Sequence, residues 1–176
     1  MKVYFMRHGQ TNYNVRDLCN YTPTKKIYLT KLGKSQVEKI AEKFKDKRLG
    51  AIFVSELWRT RQTASIINKY CNALIKEDAR INDRKTGFEG MPHSEYLKLV
   101  EKDKFNIKPK GGESFQEQKN RVFSFLNDLK KIKYNIALVI THEEPMKIIE
   151  GYFNGLNDEE MWEIKVPNCY LIEFEI

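Results

Sequence analysis

The sequence predicts an α/β fold, layered α/β/α around a largely parallel central sheet. Three observations carry that expectation. Short apolar runs alternate along the chain with segments of helical periodicity, the pattern of strand–helix–strand units. Ile136–Ile140 is an unbroken apolar run, as expected of a strand buried on both faces. Polar clusters stand directly after three of the strands, where ligands gather in such sheets.

Lys2–Met6 reads as the first strand, followed by a polar loop from Arg7 to about Thr30. Thr30 is placed to cap a helix whose apolar stripe is Val37, Ile40, Ala41 and Phe44, and Gly50 stops it. Ala51–Val54 is a buried strand, Leu57–Tyr70 a second helix with Ala64 and Ile67 inward, and Ala73–Ile75 a short strand. Residues 83–92, with two glycines and a proline, form a loop, and Ser94–Asp103 forms a helix. After the turn at Lys108–Gly112 comes a helix with Val122, Phe125, Leu126 and Leu129 on one face. The Ile136–Ile140 strand, a helix over Pro145–Phe153 and a strand over Asn168–Ile176 complete the chain. No repeat or Pro/Gly/Ser-rich linker interrupts the 176 residues, so residues 1–176 are expected to form one domain.

Apolar residues make up 41% of the chain, too many for a disordered polymer, and no apolar run approaches the roughly 18 residues of a membrane helix. The start is apolar too briefly for a signal peptide, and Cys19, Cys71 and Cys169 form neither a disulfide framework nor a zinc motif. A cytoplasmic protein with reduced thiols is expected. The net charge of +7 is unevenly spread. Residues 1–90 hold 19 Lys/Arg against 9 Asp/Glu, and residues 91–176 hold 12 against 15. A basic half beside an acidic half suits an anionic ligand bound on one side. No nucleic-acid motif or interleaving of basic and aromatic residues accompanies the charge, so the expected partner is a small phosphorylated metabolite, with no nucleic acid or membrane.

Two of the three histidines, His8 and His142, stand directly after predicted strands. A neutral imidazole is a competent nucleophile near neutral pH. Arg7 precedes His8, and Gly9 follows it, where a bare Cα allows close backbone approach to a bound group. Arg59 lies about one helical turn beyond Ser55, near a helix start. Two arginines, a histidine and a helix N-terminus describe a pocket for a phosphoryl group, because guanidinium binds its oxygens bidentately and stays charged. His93 has no motif partner and reads as a surface residue. Trp58 and Trp162 read as packing residues, and Gly111-Gly112 as either a flexible turn or a substrate contact.

Several segments resemble the histidine phosphatase superfamily, in its phosphoglycerate-mutase-like branch. Arg7-His8-Gly9-Gln10-Thr11 with Asn14 resembles its opening signature, and Leu29–Gln36 its LTxLGxxQ segment. Ser55–Ala64 is similar to SxLxRxxQTA, and Ile81–Gly90 to the loop that carries the family's acid. Gly111–Ser114 matches GGES, and Val139–His142 the second histidine. The segments occur in the family's order along most of the chain.

The resemblance implies a phosphoglycerate-mutase-like fold and a metal-independent phosphatase that needs no cofactor. His8 would become a phosphohistidine, while Arg7, Asn14, Arg59 and His142 hold the phosphoryl oxygens. Asp83 stands at the position of the general acid, where glutamate is usual. One methylene fewer retracts its carboxyl by ~1.5 Å, so either the loop or the leaving group sits closer or, if neither does, Glu89 or Glu143 substitutes. Glu143 replaces the glycine that commonly follows the second histidine, so its carboxylate must turn away from an anion or meet a substrate hydroxyl or cation. Gln10, Thr11 and Glu143 are the candidate substrate contacts.

Two alternatives stand beside a phosphatase. A cofactor-dependent phosphoglycerate mutase is disfavoured by the short chain, which ends after a predicted strand without a closing tail. A catalytically silent phospho-ligand binding protein is raised by the departure at Asp83. Selectivity is expected from the loops Asn14–Ile27 and Phe88–Pro109, with Tyr13, Tyr21, Tyr28, His93 and Tyr96 as lining candidates.

Overall fold

The protein is described here by a computed structural model covering residues 1–176. Five strands make one sheet: β1 (Lys2–Arg7), β2 (Ala51–Val54), β3 (Leu74–Glu77), β4 (Ile136–Thr141) and β5 (Leu171–Glu175). Their spatial order is β3-β2-β4-β1-β5. The first four are parallel, and β5 runs antiparallel against β1.

Side chains alternate across this sheet and divide the core in two. Val3, Phe5, Ala51, Phe53, Ala137 and Val139 face one side, where helices α5 (Phe115–Leu129), α6 (Glu143–Asn154) and α7 (Asp158–Glu163) cover them. Tyr4, Met6, Ile52, Val54, Leu138 and Ile140 face the other, under α2 (Lys31–Ala41) and α3 (Trp58–Cys71). The architecture is therefore the expected three-layer α/β/α arrangement. No helix is long and apolar enough to cross a membrane.

Register decides where chemistry can occur. Met6 and Val54 both pair with Ile140, and Arg7 pairs with Thr141. The C-terminal ends of β1, β2 and β4 are thus level, and His8, Ser55 and His142 leave the sheet side by side.

Several boundaries differ from the sequence reading for local reasons. A one-turn helix, α1 (Asn12–Val15), interrupts the first loop, closed by a reciprocal Thr11–Asn14 capping box. Helix α4 (His93–Val100) stops before Asp103, whose carboxylate accepts from the backbone N–H groups of Phe105 and Asn106 and bends the chain into a turn. The final strand begins at Leu171 because Cys169, at φ +61°, and a Tyr170 N–H to Pro167 bond put a turn before it. Helix α6 starts at Glu143, directly after the second histidine, and α7 lies in a stretch given no element from sequence.

Candidate active site

The three stretches that follow β1, β2 and β4 converge on one guanidinium. Arg59, in the first turn of α3, is 4% exposed. Its Nε donates to His8 Nε2 at 3.0 Å and lies 3.2 Å from His142 Nδ1. The two imidazoles are buried, with ring centres 5.2 Å apart. Arg59 Nη2 donates to Asp83 Oδ2 at 2.8 Å and to the Asn20 carbonyl at 3.0 Å, while Nη1 bonds the Asn20 side chain.

Hydrogen bonding fixes both histidine tautomers. His8 Nδ1 lies 2.7 Å from the Gly9 carbonyl, an acceptor only, so Nδ1 carries the proton and Nε2 presents a lone pair to Arg59. His142 Nε2 lies 2.7 Å from Ser55 Oγ, which also accepts from the Leu57 N–H; because Thr60 Oγ1 donates to the backbone carbonyls of Ser55 and Leu57, the Ser55 hydroxyl proton turns to Thr60 Oγ1, 2.8 Å away. His142 Nε2 is therefore the protonated nitrogen, and Nδ1 faces Arg59. Burial, aided by the guanidiniums of Arg59 and Arg7, holds His8 well below the usual histidine range. Burial likewise depresses His142, with Arg59, His8 and Arg7 adding to the effect.

The short acid at position 83 reaches the site. Besides its 2.8 Å ion pair with Arg59, Asp83 Oδ2 lies 3.7 Å from His142 Nδ1. The loop brings the shorter side chain into contact with Arg59 and close to His142. Glu89 is engaged elsewhere, accepting from Asn20 Nδ2 (2.8 Å) and from the N–H groups of Tyr21 and Thr22. It supports the loop whose Asn20 holds Arg59.

Arg7 is less free than expected. Its Nη1 lies 2.6 Å from Glu143 Oε2 and also bonds the Val166 carbonyl. Glu143 in turn lies 3.7 Å from Lys147 Nζ. Its carboxylate is turned onto Arg7, one of the cations expected from the sequence to hold a phosphoryl group. Asn14 lines the cavity with its carboxamide oxygen engaged by the Thr11 N–H (2.9 Å) and by Asn168 Nδ2 (3.3 Å), so its NH₂ is not used in these contacts.

A cavity of about 450 Å³ opens at Arg59 and Asp83, with Arg7, Thr11, Asn14 and Glu143 also in its wall; His8 and His142 are buried and do not line it. Gln10 does not line it. Both its carbonyl and its side chain accept from Thr30 at the start of α2, so it anchors the loop. Gly9 serves the same contact. A Cβ there would sit 2.7 Å from the Gly33 carbonyl, so its bare Cα lets β1 dock against α2, not against a ligand. His93, read from sequence both as a surface residue and as a lining candidate, lines the cavity and stacks on Tyr96. Tyr13 also lines it, whereas Tyr96 is buried and Tyr28 lies outside against Trp58. Trp162 forms part of the wall and covers the buried Arg84–Glu144 ion pair.

Comparison with known proteins follows the same lines. The family model of the histidine phosphatase superfamily (branch 1) matches residues 3–176. The chain belongs to this superfamily. Among curated relatives, Phosphoserine phosphatase 1 of Hydrogenobacter thermophilus is 27% identical, covering 96% of this chain and 82% of that protein. A protein of Proteus mirabilis named "Probable phosphoglycerate mutase GpmB" is also 27% identical, with the same 96% and 82% coverage. Among solved structures, the alpha-ribazole phosphatase from Shigella flexneri superposes with a TM-score of 0.90 at 22% identity, over 100% of this chain and 91% of that one. Bacillus stearothermophilus YhfR gives 0.87 at 20% identity, over 99% and 91%. These superpositions establish the phosphoglycerate-mutase-like fold.

Ser55 was legible as part of a polar cluster, though not as the partner that orients His142. Asn20, Arg84, Glu144 and Asn168 carried no sequence signal, because loops distant in the chain bring them to the site.

Proposed function

We propose that the protein hydrolyses small phosphomonoesters by two successive phosphoryl transfers through His8, without a metal. The observation that carries this reading is the convergence of the His8 Nε2 lone pair, Arg59 and His142 Nδ1 within 3.2 Å contacts. Phosphatase names among the curated relatives favour the same reaction class.

In the free protein Arg59 is shared between His8 and Asp83. An incoming phosphoryl dianion competes for that guanidinium and releases Asp83 from its ion pair. Beside the dianion and without its guanidinium partner, Asp83 takes a proton from solvent; His8 Nε2 attacks phosphorus, the ester P–O bond breaks, and Asp83 passes that proton to the leaving oxygen. Water next attacks phosphorus. The P–N bond breaks, Asp83 accepts the water proton, and inorganic phosphate leaves with His8 restored. His142 Nδ1 can bind a phosphoryl oxygen only as N–H. The dianion beside it favours that protonated form, opposing the burial that keeps the ring neutral in the free protein. Arg7, Arg59 and the Asn14 NH₂ supply the remaining complementarity to the spreading charge.

The relatives named as mutases make return of the phosphoryl group to a second hydroxyl the alternative outcome. The test is a panel containing p-nitrophenyl phosphate, O-phosphoserine, 3-phosphoglycerate and sugar phosphates, assayed in chelator with and without a bisphosphoglycerate primer. Phosphate release that survives chelator and vanishes in His8→Ala supports the proposal. Isomerisation of 3-phosphoglycerate faster than phosphate release, or activity restored only by added metal, contradicts it.

A further inference from the structure

We propose that Arg121 and Glu113 form a clamp that sets the reach of Asp83, making Arg121 a positioning residue for proton transfer to the leaving group. The proposal rests on the assignment of Asp83 as the acid. Asp83 has a short side chain on a loop, so the path of its backbone decides whether the carboxyl meets the leaving oxygen.

That path is gripped on both sides. Arg121 projects from α5, and its Nη1 donates to the carbonyls of Arg80 (2.7 Å) and Asn82 (2.8 Å). Its Nη2 donates to the carbonyl of Asp83 itself at 3.2 Å. Glu113 holds the guanidinium in a two-pronged pair, at 3.0 Å from Nε and 2.5 Å from Nη2. Glu113 also grips the chain beyond Asp83: its N–H donates to the Lys85 carbonyl at 2.8 Å, and its Oε1 accepts from the Lys85 N–H at 3.1 Å. Both partners are largely shielded, with side chains 20% and 15% exposed.

This arrangement gives the Gly111–Ser114 segment a purpose that its sequence left open. A Cβ on Gly112 would lie 2.3 Å from the Lys85 carbonyl, so glycine is what lets the turn close on the acid loop. Ser114 caps α5, accepting from the Glu117 N–H, and so fixes the helix from which Arg121 projects. The loop has two further anchors that do not depend on the clamp. Thr141 Oγ1 donates to the Ile81 carbonyl at 2.6 Å, and Asn82 exchanges hydrogen bonds with Glu56. Removing Arg121 therefore loosens Asp83 without cutting the loop free.

The discriminating measurement is kcat/KM, which reports the steps through leaving-group departure, on two substrates. One is p-nitrophenyl phosphate, whose leaving group departs without a proton; the other is the alkyl phosphate of the panel that the wild type turns over fastest. Misplacing a reacting group by ~1 Å costs ~100-fold. Arg121→Ala is expected to lower alkyl phosphate turnover ~10–100-fold and aryl turnover less than about threefold. Arg121→Lys keeps the charge but not the fork, and Glu113→Gln weakens the grip; both should shift the ratio in the same direction. They carry the test should Arg121→Ala not fold, with Tm recorded for each variant. Asp83→Asn serves as the reference. If it loses alkyl turnover selectively while the clamp variants depress both substrates equally, or neither, the clamp is refuted and the acid assignment stands. If Asp83→Asn itself shows no selectivity, both fall. A purely structural or electrostatic role for Arg121, including an effect through His142, would lower the two substrates together.

Discussion

Glu143 stands on a cation that the proposed reaction needs, and replacing it by glutamine should tighten anion binding. The carboxylate lies 2.6 Å from Arg7 Nη1, with its side chain 43% exposed and that of Arg7 12% exposed. A phosphoryl group sharing that guanidinium would sit about 5 Å from the carboxylate. Two unit charges at that separation repel by about 3 kcal/mol at an effective dielectric of about 20. The exposure of Glu143 and the salt of an ordinary buffer reduce this to roughly 1–1.4 kcal/mol. Glu143→Gln should therefore lower the competitive inhibition constant of inorganic phosphate by about 5–10-fold. The effect should shrink in 0.5 M salt, where the Debye length falls to roughly 4 Å. Loss of a partly exposed ion pair should cost the fold no more than about 1 kcal/mol. The assay is inhibition of p-nitrophenyl phosphate hydrolysis by phosphate at two ionic strengths. An unchanged or raised inhibition constant in Glu143→Gln would show that the carboxylate does not compete with the ligand for Arg7.

Other expectations concern the histidines and their support. His8 and His142 have folded-state pKa values depressed by burial, so below pH ~6.5 the unfolded chain binds protons that the folded protein does not. Stability is then fully present above that pH and falls on acidification, by up to about 2.7 kcal/mol per pH unit for the two rings until they protonate in the folded state. Glu144, raised by burial, contributes with the opposite sign, its stability present below the ordinary glutamate range and lost as pH rises through the raised value. Comparing denaturant midpoints of the wild type with His8→Asn/His142→Asn across pH 7 to 5.5 isolates the ring contribution; parallel curves would contradict it. Ser55→Ala removes the acceptor of the His142 Nε2 proton. It should destabilise the fold by about 1–3 kcal/mol, read as a shift in Tm, and lower kcat/KM on both aryl and alkyl phosphates. Retention of full activity would mean that the ring is oriented by packing alone.

The legible and illegible parts of this molecule differ in range along the chain. Strands such as Ile136–Thr141 and helices such as α2, with its Thr30 cap, are written in local apolar spacing and capping chemistry, and they appear where that chemistry puts them. His8, Arg59 and His142 were legible because each follows a strand end or opens a helix, and level register brings those ends together. What local pattern could not reveal is how loops are tied to one another. Asn20 braces Arg59, Gln10 and Gly9 serve α2, and Arg121 reaches back 38 residues to the Asp83 carbonyl. The ends at Asp103 and Cys169 were missed for a related reason: single side-chain or backbone turns outweighed continuing periodicity. Glu143 was visible as an acidic departure, but its pairing with Arg7 depends on α6 beginning directly after His142.

The most direct test of the central claim is to catch the covalent intermediate. Wild-type protein mixed with p-nitrophenyl phosphate, quenched in base within milliseconds and digested for mass spectrometry, should carry one phosphoryl group on the imidazole of His8, stable to alkali and lost in acid. Its formation should keep pace with the first burst of p-nitrophenol. Steady turnover with that ring never phosphorylated, or with the label on any other side chain, would contradict the account.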